Sequence, residues 1–183
     1  MASGATAIST SAVNNRLRQY EQQQTQLRSR FEERLNLIGD ERKTELVKKI
    51  QSRMCVINQD RIEVMQKNLD KMSGILDKVE DRADKLKTEG KDISKITAAV
   101  TAARTKIEQA RTAALNQAKL ECVIDISGSE KNLGAEVRQG ISDLQKQLSA
   151  VNEKVRLAKR AVSEAIVALA HEMGNPTPTK AAD

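Results

Sequence analysis

Apolar residues recur along this chain at helical spacing and almost nowhere at strand spacing. Ile62, Met65, Leu69, Met72, Leu76, Val79, Ala83 and Leu86 form one run at alternating steps of three and four. Ile96, Val100, Ala103, Ile107, Ala110 and Ala114 form a second, and Val137, Ile141, Leu144, Leu148, Val151, Val155, Ala158, Val162, Ala165 and Leu169 a third. Each run draws a narrow apolar seam down one face of a helix, the pattern that helices packing side by side require. "KTEGKDIS" lies between the first two runs, with Gly90 suited to a helix C-terminus and Asp92 to an N-cap. The spacing therefore predicts helices over about residues 40–88 and 93–121 joined as an antiparallel hairpin, then a third over about 131–173.

"KLECVIDISGSEKNL" is the stretch that does not read as helix. Cys122, Val123 and Ile124 favour extended backbone, while Ser127, Gly128 and Ser129 supply a turn and cap. Residues 122–130 are expected to form an irregular link.

A fourth apolar stripe runs upstream through Val13, Leu17, Tyr20, Leu27, Phe31, Leu35 and Ile38. Gly39-Asp40 either breaks it from the next helix or only bends it. At ~1.5 Å per residue the two later helices span roughly 43 and 60 Å, and an unbroken helix over 12–88 would span roughly 115 Å. Residues 12–55 are thus expected to form an amphipathic helical arm with little cover from their own chain. Leu17, Tyr20, Leu27, Phe31, Leu35 and Ile38 are its candidate self-association residues, because a wide apolar stripe on a charged chain usually meets another protein surface. The expected architecture is all-α: an elongated, coiled-coil-like antiparallel three-helix bundle over 56–173, with the arm protruding at the N-terminal side. Residues 1–11 are expected to be flexible, and 174–183, with two prolines and no seam, a disordered tail.

Composition sharpens this picture. The chain has 183 residues, no Trp, one Tyr and one Phe, so a sandwich, barrel or doubly wound core would lack its bulky fillers. A net charge of +6 is spread along the chain, without the dense basic stripe or stacking aromatics that nucleic acid demands. A membrane surface is a more open alternative, because Arg16, Arg18, Arg28, Arg30 and Arg34 flank the arm stripe. Asp70, Asp77, Glu80, Asp81 and Asp84 alternate with lysines and arginines, as on a solvated helix face. His171 has no spacing partner, and with two separated cysteines it builds no zinc site of usual spacing. "DISGSE" lacks the alternating ligands of a calcium loop. No phosphate-binding or nucleophile motif is present. These readings exclude any recognisable enzyme chemistry, and they imply no cofactor.

Antiparallel pairing about Gly90 brings Cys55 and Cys122 within about one helical turn. Either they form a disulfide closing the end of the hairpin, or they are two small buried thiols. A disulfide would place the protein in an oxidising compartment.

The stretch "RIEVMQKNLDKMSGILDKVEDRADKLKTEGKDISKITAAVTAARTKIEQAR", followed by a Ser-containing link and "LQKQLSAVNEKVRLAKRAVSEAIVALA", resembles uncharacterised exported helical-hairpin proteins of ultrasmall candidate-phyla bacteria over about residues 60–170. That resemblance implies an envelope or extracellular protein and carries no activity or binding residues with it. The combined expectation is a non-enzymatic structural protein whose partners are other copies of itself.

Overall fold

The computed structural model describes residues 10–120 and 122–174, and within α1 the side chains of several residues, Leu17 and Tyr20 among them, lie outside the described set. Four helices account for nearly all of it, and no strand occurs among the described residues: α1 Thr10–Asn36, α2 Glu41–Thr88, α3 Ser94–Lys119 and α4 Leu133–Glu172. The expected flexible segment 1–11 and tail 174–183 fall outside the description except for Thr10, Ser11 and Gly174. Thr10 and Ser11 are already helical.

The chain divides into two compact units. One takes the described residues up to Cys55 with Leu120–Asp143, and the other takes Val56–Lys119 with the described residues from Leu144 onward. The expected 56–173 bundle is therefore divided differently, because the first turns of α4 belong with the N-terminal helices.

In the second unit, all eight apolar positions of the α2 run and all six of the α3 run are buried in one core, where they meet Val151, Val155, Ala158, Val162, Ala165 and Leu169 of α4. Half of the α3 seam, Ala103, Ala110 and Ala114, is alanine. The hairpin turn follows from its residues. Gly90 adopts φ 85°, the Lys91 amide donates back to the Leu86 carbonyl at 3.0 Å, and the Gly90 amide to Lys87 at 3.0 Å. Asp92 then accepts from the Ser94 amide at 2.9 Å, which holds its carboxyl below the usual range.

Across this unit Arg104 pairs with Glu80 and Asp77, and Arg111 with Asp70 at 2.8 Å. The acidic face of α2 is thus matched by arginines of α3 and not only by the basic residues interleaved on α2 itself. The hydrogen bonds that Arg104 donates to Glu80 first, and then to Asp77, raise its pKa further.

In the first unit, α1 and α2 are separate helices. Residues 37–40 are non-helical, and Asp40 caps α2 by accepting from the Arg42 amide at 2.9 Å and the Lys43 amide at 3.2 Å. This resolves the ambiguity at Gly39-Asp40 in favour of a break.

Candidate interaction site around the link

Residues 122–132 do more than connect two helices. Ile124 and Ile126 are among the most completely buried side chains of the protein. Their alternation with the exposed Asp125 marks two-residue periodicity, so one face of an extended segment is turned inward. Gly140 of α4 allows this approach, because a Cβ there would lie 3.1 Å from Cγ2 of Ile124.

Charged groups hold the outer face. Arg34, on the last turn of α1, donates to the Asp125 carboxylate and to the Ile126 carbonyl at 2.8 Å. Glu130 accepts from Lys43 Nζ at 2.8 Å and from the Asp40 amide at 3.1 Å. The hydrogen bond from Lys43 is the main reason the Glu130 carboxyl titrates below the usual range, and it raises the pKa of Lys43 in turn. Ser127 donates its amide to Glu136 of α4 at 3.0 Å. Gly128, at φ 84°, passes so close to α1 that a Cβ would meet Leu37 Cδ1 at 3.0 Å and the Arg34 carbonyl at 3.1 Å.

The arm stripe is accordingly not bare. Phe31, Leu35 and Ile38, expected to face a partner, are buried within the chain itself, as are Val47 and Met54 of α2. Helix lengths alone did not reveal this, because they leave out the non-helical link, which meets the end of α1 at Arg34 and Leu37. Leu27, one helical turn before Phe31, is 43% exposed, and Leu37 and Leu46 near the α1–α2 corner are 71% and 58% exposed. Leu17 and Tyr20 lie on α1, with side chains outside the described residues. Arg34, expected among the arginines flanking a partner surface, instead anchors the link. Arg28 and Arg30 are exposed.

Cys55 and Cys122 are neighbours, as their positions about the hairpin imply. The Cys55 thiol lies 3.9 Å from the carbonyl oxygen of Cys122, and Cys122 Sγ lies 3.9 Å from the Leu120 carbonyl. Both are half-buried thiols in this structure.

Among the described residues no group of three or more His, Cys, Asp or Glu is placed to hold a metal, and no helix is long and apolar enough to cross a membrane. An open groove on the second unit is lined by Thr101, Arg104, Thr105, Glu108, Thr112 and Lys154, with its Arg104 already engaged by Glu80 and Asp77. Arg34, Glu130 and the isoleucines of the link are the residues that sequence reasoning missed as organisers. Two-residue alternation in "VIDIS" is the only local signal for the inward face, and opposite charge alone does not specify the pairs. Comparison with models of protein families, with curated proteins and with solved structures finds no match.

Proposed function

We propose that this chain is a non-enzymatic structural protein, a three-helix bundle whose N-terminal helix docks on further copies to give an oligomer or filament at the cell envelope or outside the cell. The supporting observation is the uneven cover of the α1 stripe. Phe31, Leu35 and Ile38 are buried by the chain itself, whereas Leu27, on the same stripe, is 43% exposed. A stripe buried at one end and exposed at Leu27 suits a helix that is held in place by its own subunit and completed by another. Such an interface joins two different surfaces, so it propagates when the rotation between copies does not close a ring. The location outside the cytoplasm rests on the proximity of Cys55 and Cys122.

Light scattering of the full chain over a concentration series into the tens of micromolar tests the reading. The expected result is a mass above that of one chain, which Leu27→Glu lowers toward the monomer while helicity by circular dichroism stays unchanged. A monodisperse monomer throughout, or an unchanged mass for Leu27→Glu, overturns it. A second reading, a peripheral scaffold on anionic membranes, is favoured by the exposure of Arg28 and Arg30 beside Leu27. Co-sedimentation with phosphatidylserine vesicles that weakens with salt, from a chain that is monomeric in solution, would favour that reading over self-association.

A further inference from the structure

We infer that Cys55 and Cys122 are a reversible disulfide site, a covalent latch that fastens the link to α2 when the surroundings are oxidising. The placement is specific. Of 183 residues only two are cysteines, and the fold sets the thiol of one 3.9 Å from the backbone oxygen of the other. Cys55 is fixed on a helix. Cys122 stands in non-helical backbone just beyond α3, with its Sγ 3.9 Å from the Leu120 carbonyl, and rotation about its Cα–Cβ bond re-aims that sulfur. Both are half-buried, so a small oxidant has access to the pair while the buried Ile124 and Ile126 keep the link close to the unit.

A latch is useful at this position. Past Cys122 the link is held by the inward isoleucines and by ion pairs of Arg34 and Lys43 that are open to solvent, and exposed pairs of this kind contribute little. A bond at Cys122 secures the segment at its start and closes the chain between residues 55 and 122, so it restricts the unfolded ensemble as well.

The chemistry is thiol–disulfide exchange with a disulfide oxidant, RSSR. One cysteine thiolate attacks a sulfur of RSSR, which forms a mixed disulfide and releases one RSH after protonation. The other cysteine thiolate attacks the protein sulfur of that mixed disulfide, forming the Cys55–Cys122 bond and releasing the second RSH. Two electrons and two protons leave the protein, and RSSR is reduced to two RSH. Excess dithiol reverses both steps. This inference does not rest on self-association, since the bond is within one chain.

The test uses the full chain equilibrated across a series of oxidised to reduced glutathione, then quenched and alkylated. The expected product in the oxidised samples is a chain with no disulfide to another copy that takes up no alkylating reagent, yields an intrachain Cys55–Cys122 cross-linked peptide on digestion, and melts roughly 5–10 °C higher than the reduced chain. Limited proteolysis within 122–132 should slow at the same time, and dithiothreitol should restore the starting behaviour. Cys55→Ser and Cys122→Ser, assayed separately, should fold with unchanged helicity and lose the redox dependence of melting. Full alkylation at every potential, glutathione adducts without the cross-link, or cross-links only between chains would each overturn the proposal. A Cys55–Cys122 bond that changes neither melting nor proteolysis of the link would overturn its role as a latch.

Discussion

Asn58 and Gln117 hold one another across the α2–α3 hairpin. Asn58 Nδ2 donates to the Gln117 carbonyl at 3.2 Å, and Gln117 Nε2 donates to Asn58 Oδ1 at 3.0 Å and to Gln147 Oε1 of α4 at 3.2 Å. Asn58 and Gln117 are 3% and 5% exposed, the two buried polar side chains among the described residues. A paired amide in an otherwise apolar seam favours one alignment of the helices, because sliding by one turn would strand both groups.

Asn58→Leu should therefore destabilise the protein by about 1–3 kcal/mol, because it leaves the Gln117 amide buried with fewer partners. Gln117→Leu should cost a similar amount. The double variant should cost less than the sum of the two, since it removes both halves of the pair. Urea unfolding of the four proteins measures the coupling, and strict additivity would show that the two amides act independently.

Three glycines respond differently to alanine. Gly74 lies within α2 with open space where a Cβ would go, so Gly74→Ala should stabilise by roughly 0.5–1 kcal/mol. Gly128 combines φ 84° with crowding from Leu37 and the Arg34 carbonyl, so Gly128→Ala should destabilise by roughly 1–3 kcal/mol. At Gly140 the gain in helix propensity is opposed by the approach to Ile124, and Gly140→Ala should gain less than Gly74→Ala. Thermal melts of the three variants rank these effects.

The Lys43–Glu130 pair ties part of the link's hold to pH. The folded-state pKa of Glu130 is depressed, so its contribution is present above the ordinary value of 4.5 and is lost as pH falls through the folded value. The pKa of Lys43 is raised, so from its side the contribution is present below 10.5 and is lost as pH rises through the folded value. Wild type and Glu130→Gln should differ most between those limits and converge as pH falls through the folded value of Glu130. The difference should be small and should shrink in salt, because both side chains are about 40% or more exposed. Urea midpoints of the two proteins across pH give the comparison.

Much of the helical framework was legible in the chain because its determinants are local. All the seam residues of α2 and α3 between Ile62 and Ala114 are buried, and the helix limits near Gly90, Asp92 and Ser129 follow from caps and turns encoded within a few residues. Below Ile62 the apolar Ile57 is 42% exposed and the polar Asn58 takes the inward position. The inward residues Met54, Asn58 and Ile62 step by four twice, a shift of phase that a search for apolar residues alone passes over when the inward residue is polar.

The sequence by itself determined that the chain is helical, where its hairpin turns, which faces of α2, α3 and α4 seek one another, and that Cys55 and Cys122 are neighbours. Each of these follows from periodicity, capping or the rise of a helix. Only the tertiary structure decided that Phe31, Leu35 and Ile38 are covered by their own chain and that Arg34 is an anchor of the link. It also decided that the link is a packed segment, with Ile124 and Ile126 turned inward. These depend on contacts between residues some ninety positions apart in sequence, as between Arg34 and Asp125. Neither helical period nor local propensity carries information about which distant segment will fill a given face.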